Sequence, residues 1–223
     1  MSTTVTYKGQ TLTTVENQTK TLNTAGTWVE GDFTLTDVTQ GGDEQYFIDL
    51  FAMNHTVIDD SKITAMGDAL LYQTHNATGM RWRELTSVNG QTFRGVNKMT
   101  YAIFDKLLKT TTDMISYSAL LTTAEFGAVT EIAHYTFEND PKFDTLILRT
   151  PTLVRLASQR VFDNTCFKNG GTGGTIYVPQ ALLSSYPTAT NWSVVHGWGT
   201  ITWTAIEGSY YETHHADGTE VTA

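Results

Sequence analysis

The sequence predicts a mainly β protein with short helical turns, a β-rich α+β chain organised by internal repetition. Three observations carry this expectation. One apolar pattern recurs along the chain, threonine is abundant while charged residues make up only 17% of 223, and several short runs alternate apolar residues with threonine. β-Branched side chains fit a pleated, half-buried surface. Alternation marks a strand with one face inward, and recurrence at a period of about 20–50 residues marks stacked units.

The pattern is clearest from Thr130 to Val178. Its first copy carries Ile132, Phe137, Phe143, Leu146 and Leu148; its second carries Leu156, Phe162, Phe167 and the run Ile176, Tyr177, Val178, so the starts lie 24 residues apart. Upstream, Thr86–Phe104 aligns without a gap on Thr130–Leu148, so that Val88 meets Ile132, Phe93 meets Phe137, Met99 meets Phe143 and Phe104 meets Leu148. Fainter copies place Ile115, Leu120, Phe126 and Val129, and Met66, Leu71, Ala77 and Met80, at shared offsets of 5, 11 and 14. Units starting near 66, 88, 115, 132 and 156 predict a short solenoid whose spacing varies from 17 to 27 residues.

Around this centre the chain divides into three. Residues 1–40 read as a small N-terminal β module, with strand-like runs at Val5–Tyr7, Thr11–Thr13, Lys20–Leu22, Trp28–Val29 and Phe33–Leu35 punctuated by Gly9, Gly26 and Gly31. So small a module buries too little surface to stand alone and is expected to pack on the next domain or to oligomerise. The turn-rich acidic break Gly41–Glu44 opens the solenoid at 41–193, and the dense apolar run Tyr46–Met53 is expected to cap its first layer, because an open end exposes the core. Short helical turns are expected within 105–125. In 194–223, a capping strand at Ile201–Ala205 alternates apolar residues with threonine near three of the five tryptophans, and Glu212–Ala223 reads as a mobile polar tail.

Composition narrows the partners. A formal charge of -9 argues against nucleic acid and against an anionic membrane, both of which attract a basic face. The single Cys166 excludes an internal disulfide and reads as a small buried side chain beside Val161, Phe162 and Phe167. The start of the chain lacks the basic and apolar regions of a secretory signal, and no stretch approaches the roughly 20 apolar residues that cross a bilayer.

The units resemble the leucine-rich repeats of the BspA-like surface-protein family through Ile132, Tyr135, Phe137, Leu146 and Leu148. The segment Gly170–Pro179, then Ala181–Tyr186 and Ala189–Ser193, is similar to that family's usual ending, of a kind associated with bacteriophages and prophages of Gram-positive bacteria. Residues Tyr7–Gly9, Lys20–Leu22, Ala25–Gly26 and Asp32–Leu35 resemble an N-terminal module of phage and prophage proteins. The resemblance implies a short, irregular leucine-rich-repeat solenoid, and a virion structural protein needing no export signal. The alternative it implies is a bacterial or prophage-encoded cell-surface adhesin.

No stretch carries a hydrolase motif, a metalloprotease motif or a phosphate loop. His214, His215, Asp217 and Glu220 read as solvated side chains in preference to a metal site, and Gly170–Gly174 as a turn entering a strand. Asp59 with Asp60, and Asp140 with Asp144, are the acid pairs a glycosidase would need, but surface carboxylates account for them. The sequons at Asn17, Asn54, Asn76 and Asn191 follow from the abundance of threonine, and His75, His134 and His196 have no partner pattern. No catalytic residue, metal ligand or cofactor is assigned. If Leu146 and Leu148 point inward, then Ile147 and Arg149 point outward with Tyr101, Ile103 and Tyr177. This aromatic-aliphatic strip suits a protein or glycan partner, or equally a neighbouring subunit or the N-terminal module. The expected function is therefore non-enzymatic: a head decoration, head fibre, tail fibre or other tail component. It would assemble with other virion proteins, be homo-oligomeric, and adhere to a host-surface protein or glycan.

Overall fold

The computed structural model describes residues 64–222 apart from 70 and 74–76, and the backbone of 2–7, 10–15, 33–35, 57–60 and 63. Gly41–Glu44, Tyr46–Met53, Lys20–Leu22, Ala25–Gly26, Trp28–Val29, His75 and the sequons at Asn17, Asn54 and Asn76 lie outside the described residues.

The strands are β1 (Ser2–Tyr7), β2 (Gln10–Val15), β3 (Phe33–Leu35), β4 (Val57–Asp60), β5 (Ile63–Met66), β6 (Gly79–Trp82) and β7 (Ser87–Val88). They continue with β8 (Tyr101–Phe104), β9 (Thr123–Phe126), β10 (Glu131–Ile132), β11 (Thr145–Leu148), β12 (Arg155–Leu156), β13 (Gly174–Val178) and β14 (Ile201–Ala205). One five-residue helix, α1 (Trp192–His196), and four 3₁₀ turns complete the described elements. The protein is thus mainly strand, with few and short helices.

Seven strands form one parallel sheet in the order β14-β13-β11-β9-β8-β6-β4. From β4 to β11 each strand sits opposite residues 22 positions further on: Val57 faces Gly79, Gly79 faces Tyr101, Tyr101 faces Thr123 and Thr123 faces Thr145. The advance lengthens only afterwards, at Thr145 opposite Thr175 and Thr175 opposite Thr202. A second line of parallel pairing joins β3, β5 and β7, then Lys109 to Glu131, then β10 to β12. β3 belongs to the segment read as a separate module, and it pairs in parallel with β5. A third line is carried by turns: Leu71 N–H donates to Thr92 O, Phe93 to Met114 O, Ile115 to Thr136 O and Phe137 to Val161 O, at 2.9 to 3.2 Å.

Threonine serves these lines directly. The Oγ1 atoms of Thr86, Thr100, Thr122 and Thr130 donate to the carbonyls of Thr64, Thr78, Thr100 and Leu108, each 22 residues back, at 2.9 to 3.0 Å. A hydroxyl that satisfies a carbonyl on the neighbouring level replaces the water such an atom would otherwise need.

A corner of the chain explains the constant advance. Gln73, Gly95, Tyr117, Asn139 and Asn164 all have positive φ, between 55° and 74°, and the first four stand 22 residues apart. The N–H groups of the first four donate to the next level, at Arg94 O, Ser116 O, Glu138 O and Asp163 O. Only glycine adopts this left-handed region without steric cost, so Gln73, Tyr117 and Asn139 hold it because the hydrogen bond fixes the turn.

Inside, apolar rows stack in register: Leu71, Phe93, Ile115, Phe137 and Phe162; Ala77, Met99, Leu121, Phe143 and Phe167; and Trp82, Phe104, Phe126, Leu148 and Val178, all at most 2% exposed. Rings run almost continuously from Trp82 through Phe93, Phe104, Phe126 and Phe137 to Phe162 and Trp192, with centroids 5.3 to 6.3 Å apart. The register corrects the expected phase of one level. Ile115 belongs with Phe93 and Phe137 rather than with Val88 and Ile132, and Leu121 rather than Leu120 is the buried leucine; Leu120 is 37% exposed. The position matching Val88 and Ile132 is Thr110, whose Oγ1 pairs with Thr136 Oγ1 at 2.9 Å. Between 105 and 122 the chain makes turns and bends instead of helical turns.

The last level closes with aromatics. Trp192 is fully buried and donates through Nε1 to Val154 O at 2.7 Å, Tyr186 stacks on Trp203 at 5.4 Å, and Tyr186 Oη accepts from Val154 N–H at 3.2 Å. Burial raises the Tyr186 hydroxyl to about 12. β14 occupies the alternating run Ile201–Ala205 and ends the sheet.

Candidate functional site

Of the outward strip expected from alternation, the parallel register aligns Ile103, Ile147 and Tyr177 in one row, together with Arg81 and Glu125, while Tyr101 and Arg149 lie two residues to either side of that row. Leu146 and Leu148 point into the core, and Ile103 and Ile147 stand on the other face, yet both isoleucines are 0% exposed. Residues 207–222, the strap, cross this face. The strip is therefore covered by the chain's own C-terminal residues, and Glu212–Thr222 do not form a projecting tail.

This face of the sheet holds the strap mainly through charged side chains. Arg149 donates through Nη1 to Tyr211 O at 2.7 Å and through Nη2 to His214 O at 2.8 Å. Glu125, 1% exposed, receives Arg149 Nε and His215 Nδ1 on one oxygen, each at 2.5 Å, and the N–H of Ala216 on the other at 2.7 Å. Arg81 donates to Asp105 Oδ2 at 3.0 Å and Thr219 Oγ1 at 2.8 Å, and lies 3.6 Å from Asp217. The Tyr177 ring meets Tyr211 edge to face at 4.7 Å, while Tyr101 lies over Gly79, where a Cβ would come within 2.1 Å of the ring.

His215 is 8% exposed, not solvated, and its partners assign its tautomer. A guanidinium only donates, so the 2.9 Å contact from Arg81 Nη2 makes Nε2 the acceptor, and Nδ1–H donates to Glu125. Burial works to raise the Glu125 carboxyl, but the His215 hydrogen bond and the Arg149 charge outweigh it and hold it below its ordinary range. Asp217 is likewise lowered: burial opposes, and the Thr219 hydrogen bonds and the Arg81 charge prevail. Among the described residues no group of three or more His, Cys, Asp and Glu is placed to hold a metal ion.

The acid pairs fare differently. Asp140 is fully buried, accepts the Ser118 N–H at 2.6 Å through Oδ1 and leaves Oδ2 without a partner. Burial pushes its carboxyl well above the ordinary range against that hydrogen bond. Asp144 is exposed and accepts from Thr145 Oγ1 at 2.8 Å. Of Asp59 and Asp60 only the backbone, in β4, is described. Gly171–Gly174 turn into β13 beside an open depression of about 340 Å³ lined by glycine and threonine. Cys166 is half-buried and donates to Pro141 O at 3.2 Å, not packed inside as expected. Asn191 gives its amide to Leu156 O and Ala157 O, His134 pairs with Ser158 and His196 accepts from Trp203 Nε1.

A second surface was missed from sequence. On the turn side, Arg94 lies over the Tyr117 ring at 4.4 Å and near Tyr72 at 5.9 Å, and Arg160 lies over Tyr135 at 5.8 Å with a 2.5 Å bond to its hydroxyl. Tyr117 is 43% exposed. The available signal was the 22-residue spacing, which sets Tyr72 and Arg94 at one position of adjacent levels, with Tyr117 one residue past it on the next. No family model, curated protein or solved structure matches this chain.

Proposed function

We propose that the chain is a non-enzymatic structural protein of a bacteriophage virion, a head decoration or fibre or a tail component. In this reading it is built as a short leucine-rich-repeat-like solenoid and presents a turn-side surface for host or glycan adhesion. The observation that carries the reading is the constant 22-residue advance of strand register with its apolar rows. Stacking of this kind spends the recurring positions on the core and leaves the positions between them free to vary. The Gly-rich run entering β13 and the aromatic closure after it agree with the resemblance to phage-encoded repeat proteins. The adhesive surface we assign is Tyr72, Arg94, Tyr117, Tyr135 and Arg160, because tyrosine rings and stacked guanidinium groups pack on sugar faces and on peptides alike.

Mass spectrometry of purified virions tests the first half: the chain is expected at stoichiometric abundance, and its absence there, or recovery with a bacterial cell surface, ends the virion reading. Binding of the purified chain to host cells tests the second. Tyr117→Ala with Arg94→Ala is expected to lower it at least tenfold, and unchanged binding removes the surface assigned here.

A further inference from the structure

We propose that Asn169 is a self-modifying site: on the loop that enters β13 its side chain cyclises with the backbone nitrogen of Gly170 and opens to aspartate and isoaspartate. A new carboxylate then stands beside the depression lined by glycine and threonine. The inference does not rest on the virion reading.

The chemistry needs an Asn or Asp followed by a glycine, whose missing Cβ lets the backbone fold back on the side chain. The sequence offers three such pairs, Asn89–Gly90, Asn169–Gly170 and Asp217–Gly218. In the first step the Gly170 nitrogen gives its proton to solvent base and attacks Asn169 Cγ. A cyclic imide closes and the side-chain nitrogen leaves as ammonia. Water then opens the ring, at Cγ to give aspartate or at the backbone carbonyl to give isoaspartate. Water enters and ammonia leaves, and nothing is oxidised or reduced.

The fold decides which pair reacts, because ring closure requires the peptide between the two residues to turn and its nitrogen to be unengaged. At 217–218 the Gly218 N–H donates to His215 O at 3.0 Å, and Asp217 Oδ1 is held by the N–H and Oγ1 of Thr219. At 89–90 the Asn89 carbonyl accepts from Thr92 Oγ1 and the Gly90 carbonyl from Thr111 Oγ1, each at 2.5 Å. The Asn89 N–H donates to Met66 O at 3.1 Å, and the Asp68 carboxyl lies where a Gly90 Cβ would be. The peptide joining Asn169 to Gly170 makes no hydrogen bond among the described residues. Asn169, Gly170 and Gly171 are exposed, Gly170 has φ +80°, and nothing lies within 4 Å of where its Cβ would be. The pair forms the centre of a turn closed by Gly171 N–H to Lys168 O at 2.7 Å, and the central peptide is the part that such a turn leaves unbonded.

The product alters the loop in charge and in shape. A negative charge joins the rim of the depression next to Lys168, whose ammonium already pairs with Asp163. Isoaspartate also lengthens the backbone inside the turn, which opens the bond between Gly171 and Lys168. Loss of ammonia makes the conversion run one way, so the converted fraction rises with the age of the folded chain.

The test incubates the folded chain in mildly alkaline buffer and quantifies its peptides by mass spectrometry, with electron-transfer fragmentation separating isoaspartate from aspartate. Conversion at 169 is expected to run about tenfold or more ahead of 89, since turning the Asn89–Gly90 peptide gives up the bonds from Thr92 and Thr111. In urea the two Asn-Gly pairs are expected to converge. Equal rates in the folded chain, or an unconverted Asn169, overturn the proposal. A lead of Asn169 that persists undiminished in urea assigns the selectivity to local sequence and overturns the role given to the fold.

Discussion

Glu125 is the residue on which attachment of the strap turns, and Glu125→Gln tests this with almost no change in volume. The carboxylate is 1% exposed and accepts from Arg149, His215 and the Ala216 N–H. The amide keeps one acceptor oxygen, so at least one of these donors loses its partner, and the neighbouring guanidinium loses its counter-charge. An unsatisfied buried donor costs about 1–3 kcal/mol, and removing one member of a buried ion pair costs about 3–5 kcal/mol. Arg149 keeps some solvent contact, at 15% exposure, so the lower end applies, about 3 kcal/mol in all. For a chain of this size that is a fall in Tm of roughly 6–12 °C at neutral pH. Calorimetry reads the fall, and hydrogen exchange at the Ala216 amide reads whether the strap has loosened. A shift below about 2 °C with Ala216 still protected would refute the assignment of the strap to this carboxylate.

Asp140→Asn is expected to stabilise. A folded carboxyl raised by burial favours the protonated form, so its contribution is fully present below the unfolded value of 3.8 and is lost as pH rises through the raised folded value. The variant should therefore gain in Tm at pH 7 and lose the part of the pH dependence above 3.8 that the wild type shows. Glu125 behaves in the opposite sense. Its folded value lies below the ordinary value of 4.5, so its stabilisation is present above 4.5 and is lost as acid takes the pH through the folded value; strap protection in hydrogen exchange should fall there. Gly95→Ala, at φ +74° and with Gln73 Cγ 3.1 Å from the added methyl, should cost about 1–2 kcal/mol in urea unfolding. Phe137→Ala, between Phe126, Phe143 and Phe162, should cost about 3–5 kcal/mol by the same measurement.

What was legible in the sequence was the apolar code. The gapless match of Thr86–Phe104 to Thr130–Leu148 spans two advances of 22, and the level between them was set out of phase because Thr110 stands where an aliphatic residue was sought. Side chains at Leu146, Ile147 and Leu148 alternate as expected. The exposure of Ile147 was not legible, because exposure depends on what lies above the sheet, and the residues that lie there are distant in sequence: Arg81 and His215 are 134 positions apart. A clue was present in the row itself. Two isoleucines with Arg81 and Glu125 on a supposedly solvated face call for a cover, and the tail supplies complementary groups in His215 and Asp217. The buried state of Asp140 had no signal either, since its neighbours Asn139 and Pro141 are typical of a surface turn.

The recurring left-handed corner at Gln73, Gly95, Tyr117 and Asn139 has a consequence for how such a chain can change length. The corner and its cross-level hydrogen bond recur at the same 22-residue spacing as the strand register, so a change in length of 22 residues keeps both in step. Excising 101–122 joins Thr100 to Thr123 and brings β9 against β6 in register, so that Ala124 and Phe126 take the buried places of Ala102 and Phe104 while Thr123 and Glu125 replace Tyr101 and Ile103 on the other face. Duplication obeys the same arithmetic. The reach of the molecule is thus adjustable by recombination in whole units, while an insertion of any other length must be carried in a loop, as the longer advance before β13 already is.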